Sequence, residues 1–230
     1  MAEKPILFNT PMVQAILDLR KRMTRRPIDW DISNCFDVDT DGSVCAYLNP
    51  ATGDSYKPEE ICRYKVGDIL YVRETWCKNG ETYLHKAGCP HLQDNMYIKW
   101  KPSIHMPREA ARIFLRVTGV RVERVQEITG RDVLAEGVAR LIGDLDTELC
   151  DNCPLPDELK DVRCYGGNPA MCEGSHCGEA YERYLSEAAI DEFADLWDSI
   201  YANRGYGWEQ NPWVEVTELE RVVNNEKQTG

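Results

Sequence analysis

Residues 112–125 read R-I-F-L-R-V-T-G-V-R-V-E-R-V, and this stretch is the clearest fold signal in the chain. From Arg112 to Val117 the run is Arg, Ile, Phe, Leu, Arg, Val, with apolar residues between arginines, and after Gly119 the pattern resumes through Val120, Val122 and Val125. A period of two is typical of a β-strand with one buried face. Strands often bend or bulge at an internal glycine. The stretch therefore predicts one long bent strand or a hairpin.

Other strands and a few helices are predicted around this stretch. The strand predictions cover residues 5–8, 44–48, 69–74 and 212–223. Helices are expected from Thr10 to about Arg20 or Thr24, at residues 129–136 and at residues 188–201. Many short strands with few helices favour a small closed sheet, since closure removes the exposed edges. The predicted class is therefore α+β, with a small β-barrel and flanking helices.

Composition limits the kind of partner. The 230 residues carry a formal net charge of −12, which argues against a surface that grips long nucleic acid through many phosphate contacts. The first apolar run is too short for a signal peptide or a membrane span, so we expect a cytoplasmic protein with no membrane partner. Ten cysteines in a reducing compartment favour free thiols or metal ligands over disulfides.

One short segment is strongly basic in this acidic chain. Five of the seven residues at positions 20–26 are lysine or arginine. A helix end in solvent would explain this, because cations interact favourably with the helix dipole there. A binding site is the alternative. If the last helical turn reached this far, the side chains of Lys21 and Thr24 would share one face.

The same segment carries a resemblance to a known family. Residues 19–26, L-R-K-R-M-T-R-R, resemble the G-R-K-T-x-T-x-R signature near the start of ASCH domains, with Leu19 in place of Gly and Arg22 in place of the first Thr. Residues 67–72 match the family's G-D-x-L-x-V strand. The chain also resembles phage- and prophage-encoded ASCH-like proteins, in segments that span much of its length: residues 4–8, 72–76, 101–108 and 205–208.

The resemblance implies a PUA-like β-barrel with a cleft. Bacterial members of the family include small N4-acetylcytidine amidohydrolases, in which a Lys, a Thr and a Glu are catalytic. The matching positions are Lys21, Thr24 and Glu136. The resemblance therefore implies a hydrolase of N4-acylated cytosine nucleosides or a related modified nucleobase, in the cytoplasm of a bacterial host if the protein is phage-encoded.

Amide hydrolysis needs a nucleophile, a base and an acid for the leaving nitrogen. In this hypothesis Lys21, whose neutral form is favoured by burial and by the adjacent arginines, takes a proton from Thr24 or from water. Glu136 then protonates the exocyclic amine of cytosine. Thr24, Lys21 and water remain alternatives for the attacking group. The structural alternative is a surface cation, a capping hydroxyl and an ordinary helix carboxylate.

Four more residues are predicted to bind the substrate. Arg26 ends the basic segment, while Glu74 and Trp76 follow the predicted strand at 69–74. Trp208 belongs to a glycine-hinged aromatic loop. A tryptophan near a cleft can stack on a base, although packing in the core is an equal alternative for both tryptophans.

A cysteine-rich segment predicts a metal site. The predicted ligands of one structural zinc ion are Cys150, Cys153, Cys172 and Cys177, with Cys164 as the alternative ligand. The segment is turn-rich and offers little apolar material for a core, so a metal would stabilise its fold. An iron-sulfur cluster is the alternative cofactor. A weaker pattern at Cys77, Cys89, His91 and His85 suggests a second site.

These patterns give one domain organisation and three candidate functions. The predicted barrel domain covers residues 1–137 and 185–223, the cysteine-rich insertion covers 138–184, and 224–230 form a flexible tail. The amidohydrolase is the first candidate. The others are a non-catalytic module that binds RNA or a modified base, and a phage accessory protein that binds a host factor.

Overall fold

The computed structural model describes residues 2–92, 97–138 and 176–222. The chain divides into two compact units, the first formed by Met1–Val125 with Pro212–Gly230 and the second by Gln126–Asn211. The predicted division into barrel, insertion and tail remains a prediction, because most of the insertion and the tail lie outside the described residues.

The described strands all belong to the first unit and form three sheets. In chain order they are β1 (Glu3–Leu7), β2 (Met23–Pro27), β3 (Phe36–Val38), β4 (Val44–Leu48), β5 (Ser55–Tyr56), β6 (Ile69–Arg73), β7 (Trp76–Asn79), β8 (Thr82–His85), β9 (Phe114–Arg124) and β10 (Trp213–Arg221). The main sheet has the order β1-β6-β9-β10-β2, with β1 parallel to β6 and the other pairs antiparallel. The two smaller sheets are β3-β4-β5 and β7-β8.

Among the described residues, three α-helices belong to the first unit and two to the second. The first unit contains α1 (Thr10–Leu17), α2 (Trp30–Ser33) and α3 (Pro58–Ile61). The second contains α4 (Gly130–Ala135) and α5 (His176–Tyr201). None of the described helices combines the length and the hydrophobicity that a membrane crossing requires. The mixed α/β class is therefore confirmed, with several sheets.

The prediction of a closed barrel is wrong for the described part of the chain. In the main sheet β1 pairs only with β6, and β2 pairs only with β10. A barrel requires the first and last strands to pair with each other. The described strands leave these two strands at opposite ends of the order, so the main sheet is open.

Strand β9 is the centre of the main sheet, and it is the long strand that its sequence pattern predicts. It is one continuous strand whose pairing with β10 shifts register between Glu218 and Leu219, next to Gly119. Leu115 and Val117 point from β9 into the hydrophobic core. The same core takes Val13 and Ile16 from α1, and this packing covers one face of the sheet.

A buried aspartate holds β1 beside β6. Asp68 accepts hydrogen bonds from the backbone amides of Ala2 and Lys65, both at 3.1 Å, and its carboxylate lies 2.7 Å from the Lys4 ammonium. Burial raises the pKa of Asp68, but the hydrogen bonds and the charge of Lys4 outweigh it, so the net pKa is lowered. The ionised carboxylate therefore stabilises the parallel pair.

A capping box begins helix α4 in the second unit, where the sequence predicts a helix at residues 129–136. Thr129 accepts a hydrogen bond from the Asp132 amide at 3.2 Å, and Asp132 accepts one from the Thr129 amide at 3.4 Å. Helix α4 then ends with Glu136 as its C-cap, and Gly137 follows with a φ of 80°. This left-handed conformation is the one glycine adopts readily at a helix end.

Candidate functional site

The candidate site is a cleft in the first unit, which we call the Lys21 cleft. It has a volume of about 510 Å³, within the range of small-molecule sites. Four apolar and four charged residues line it: Ile16, Leu19, Leu115, Leu219, Lys21, Arg22, Glu220 and Arg221. The lining residues come from the end of α1, the link to β2, and strands β9 and β10.

The end of α1 differs from the prediction. Helix α1 begins at Thr10 with the Asn9 side chain as its cap, and it ends at Leu17 rather than near Arg20 or Thr24. Leu19 has a φ of 63°, a left-handed conformation that bulky residues rarely adopt. The amides of Leu19 and Arg20 donate to the carbonyls of Ile16 and Ala15 at 3.1 and 2.9 Å. This is a Schellman motif with leucine at the position where glycine is usual.

The helix end fixes the backbone of Lys21. Its amide also donates to the Ala15 carbonyl, at 2.9 Å, so the residue is tied directly to the last turn of α1. The residue is only 3% exposed, in contrast to a cation at a solvated helix end. Its ammonium lies 5.5 Å from the centroid of the Phe8 ring, at cation–π distance. Lys21 is therefore a buried cation that also borders the cleft.

Thr24 lies in strand β2 rather than on a helix. It is 5% exposed and pairs with Thr217 on β10. Thr217 lies on the same face of β10 as the core residue Leu219, because the two are two positions apart on a strand. The hydroxyl of Thr24 therefore belongs to the core-facing side of the sheet. Thr24 is not one of the described residues that line the cleft.

Glu136 lies in the second unit. It is 7% exposed, and its amide donates to the Asp132 carbonyl at 2.8 Å. The predicted position in the last turn of a short helix is confirmed. A meeting of Glu136 with Lys21 and Thr24 at one pocket remains a prediction.

Arg26 lies on the core-facing side of β2, opposite Glu215. Its Nη2 donates to the Leu7 carbonyl at 3.0 Å, while its buried Nε has no hydrogen-bond partner among the described residues. Both carboxylate oxygens of Glu215 already accept hydrogen bonds, from the amides of Arg63 and Tyr64 at 2.9 and 3.1 Å. A substrate contact through Arg26 remains a prediction.

Arg25 shows that the basic segment is not a uniform charged surface. Its side chain is fully buried, and its Nη2 lies 2.6 Å from a carboxylate oxygen of Glu123. Arg22, by contrast, is exposed and borders the cleft. Adjacent cations in the segment therefore have different roles.

Glu74 is paired with an arginine in the structure. It is 1% exposed, and both its oxygens accept hydrogen bonds from Arg112, at 2.9 and 3.0 Å. A side chain added at Gly88 would lie 2.7 Å from the Arg112 guanidinium, so glycine leaves the space that this guanidinium needs. Bidentate pairing of this kind fixes orientation strongly. The predicted contact between Glu74 and a substrate remains a prediction.

The two predicted tryptophans pack within their own surroundings. Trp76 is 6% exposed and lies 5.6 Å from Tyr83 and 5.0 Å from the Lys101 ammonium, measured at ring centroids. Trp208, in the second unit, contacts the Phe193 ring edge at 6.1 Å. These contacts fit the packing alternative, and base stacking by either residue remains a prediction.

The predicted zinc or iron-sulfur ligands are not described. Cys150, Cys153, Cys164 and Cys172 lie outside the described residues, and so does the side chain of Cys177. Among the described side chains, no three His, Cys, Asp or Glu residues are placed to hold a metal. The zinc site and the suggested second site at Cys77, Cys89, His91 and His85 both stay predictions.

Sequence reasoning missed Arg221 and Thr217. Arg221 borders the cleft, and Thr217 is the buried cross-strand neighbour of Thr24. The alternation of the last strand could have indicated that Thr217 and Arg221 share a face with Leu219. Their closeness to Lys21 and Thr24 depends on the pairing of β10 with β2, which is not visible in the sequence.

The fold and the cleft define the chain only as a mixed α/β protein with a charged, partly apolar cleft. No family model, curated protein or solved structure matches the chain.

Proposed function

We propose that the chain is an amidohydrolase that removes the acyl group from N4-acylated cytosine nucleosides bound in the Lys21 cleft. The observation that supports this most is the buried Lys21 on the wall of a ligand-sized cleft. The conformation of Leu19 adds support, because it is the glycine-type conformation at the position of the glycine in the ASCH signature.

The proposed reaction uses three side chains. Water or the Thr24 hydroxyl adds to the acyl carbonyl, and the neutral amine of Lys21 accepts the proton that the nucleophile loses. The bond between the acyl carbon and N4 then breaks, and N4 receives a proton from a general acid, the role that the family resemblance implies for Glu136. The products are cytidine and the carboxylic acid. If Thr24 attacks, water hydrolyses the resulting ester in a second step.

The test is cytidine release from N4-acetylcytidine, measured by chromatography. Lys21→Met should reduce the rate by about 100-fold or more, because a general base contributes about this much, while the methionine keeps the buried part of the side chain. Lys78→Met, which removes an exposed lysine from β7, is the matched control and should keep the wild-type rate. Equal rates in both variants, or no cytidine release at high enzyme concentration, would end the proposal.

A second candidate is a non-catalytic module that binds a modified base or RNA. The position of Thr24 favours this second candidate, since Thr24 is not among the described residues that line the cleft and its hydroxyl is the proposed nucleophile. A binding module would take up N4-acetylcytidine at equilibrium and return it unchanged. Calorimetric titration followed by chromatography of the same sample separates the two candidates.

A further inference from the structure

The basic residues of the Lys21 cleft differ in exposure: one is buried inside the cleft, and two lie at its solvent-exposed opening, which we call the mouth. Lys21 is buried, whereas Arg22 and Arg221 are exposed. Neither arginine has a carboxylate partner among the described residues. The acidic lining residue, Glu220, faces Arg116 of the neighbouring strand β9 at 3.9 Å. The mouth therefore presents two guanidinium groups in an otherwise acidic protein.

The backbone brings the two arginines to the same cleft. The Leu219 amide donates to the Arg22 carbonyl at 2.8 Å, which joins the start of β2 to the end of β10. Arg221 is two positions beyond Leu219, so both side chains project from the same face of β10. Arg22 directly precedes β2, the hydrogen bond places its backbone opposite Leu219, and both arginines line the Lys21 cleft.

The remaining walls are apolar. Ile16, Leu115 and Leu219 are buried core residues, and Leu19 adds an exposed leucine held in a left-handed conformation. Such strained residues persist where the surrounding structure holds them, and they cluster at ligand sites. An apolar wall fits the faces of a base or an acyl group, whereas paired guanidinium groups fit the oxygens of a phosphate.

We propose that the Lys21 cleft binds a nucleoside monophosphate, with the phosphate between Arg22 and Arg221 and the base and its acyl group against the apolar walls. This inference rests on the proposed function for the identity of the base. It adds that a phosphorylated nucleoside is preferred to the free nucleoside.

The test is calorimetric titration of the full chain with cytidine 5′-monophosphate, cytidine and inorganic phosphate at low salt. The monophosphate should bind about tenfold or more tightly than cytidine, because charge-assisted hydrogen bonds to phosphate are strong. Arg22→Gln and Arg221→Gln should each reduce this ratio about threefold or more, and the double variant should bring it close to one. Arg20→Gln is the matched control, since Arg20 neighbours the cleft but pairs with Asp18 at 3.1 Å, and it should keep the ratio.

Three results of this titration would overturn the assignment, and a fourth comes from a titration with oligocytidylate. They are equal binding of cytidine and its monophosphate to the wild type, an unchanged ratio in the double variant, or inorganic phosphate binding as tightly as the monophosphate. Binding of oligocytidylate without binding of the monophosphate would also overturn it, in favour of RNA. Because binding is measured without an acyl group, a preference for the monophosphate stands even if N4-acetylcytidine is never hydrolysed.

Discussion

Leu19 differs in residue type from the ASCH signature that this segment resembles, but its backbone has the conformation that glycine adopts readily. The signature has glycine at this position, and the chain has leucine. The backbone nevertheless keeps the left-handed conformation that glycine permits, because the hydrogen bonds of the Schellman motif hold it there. The side chain is 61% exposed, so little burial compensates the strain.

Replacing this leucine by glycine should therefore stabilise the protein. A left-handed conformation costs an ordinary residue roughly 1–2 kcal/mol, and the greater unfolded-state freedom of glycine returns part of that, so Leu19→Gly should gain about 0.5–1 kcal/mol. Asp18→Gly is the control, since Asp18 has an ordinary φ of −79°, and it should lose about 0.5–1 kcal/mol. Urea unfolding with an unchanged m-value measures both. A less stable Leu19→Gly variant would show that side-chain contacts outweigh the strain.

Helices and strands could be predicted where the sequence pattern that specifies them lies within the segment itself. The capping box of Thr129 and Asp132, the strand at residues 69–73 and the long alternation of β9 all appear in the structure as the sequence indicates. The helix that starts at Thr10 was expected to continue to about Arg20 or Thr24. Strand β2 forms there instead because it pairs with β10, about 190 residues later, and local propensity does not reveal such a pairing.

The connection from β6 to β9 depends on an ion pair between the buried Glu74 carboxylate and the partly exposed Arg112 guanidinium. Arg112→Met should destabilise the protein by roughly 1–3 kcal/mol, because it leaves the Glu74 carboxylate buried without its partner, and this is less than for a fully buried pair because solvent reaches the guanidinium. Glu74→Gln combined with Arg112→Met should recover a large part of that loss, since the buried charge is then absent. Arg116→Met, which removes an exposed arginine 3.9 Å from Glu220, should change stability by less than about 1 kcal/mol.

Thermal or urea unfolding of the wild type and these three variants decides the role of Glu74. A small effect of Arg112→Met would mean that the carboxylate is readily hydrated, which would favour the predicted substrate contact. A large effect with recovery in the double variant would assign Glu74 to the support of the fold.

At the scale of the whole molecule, the sequence predicted the kinds of element better than their arrangement. The mixed class follows from local periodicities, but the order β1-β6-β9-β10-β2 depends on contacts between distant segments. The barrel was expected from the many short strands and from the family resemblance, but the described strands form an open sheet instead. The candidate site was also predictable only where its residues belong to a local motif. Lys21 was identified from the signature, whereas Arg221 reaches the cleft only through the pairing of β10.

The last prediction concerns the cysteine-rich segment, whose ligands lie outside the described residues. The purified protein should contain about one zinc ion per chain, held by Cys150, Cys153, Cys172 and Cys177. Turn-rich sequence with few apolar residues cannot offset its ordering entropy by burial alone, and zinc bound by thiolates supplies on the order of 10 kcal/mol in small domains. Four thiolates fill a tetrahedral site, so the metal would be structural.

Elemental analysis should show that Cys150→Ser lowers the zinc content, while Cys45→Ser, which changes an exposed free cysteine of the first unit, leaves it unchanged. Iron in place of zinc would favour the cluster alternative, and a protein free of both metals with all five thiols of the segment titratable would refute the site.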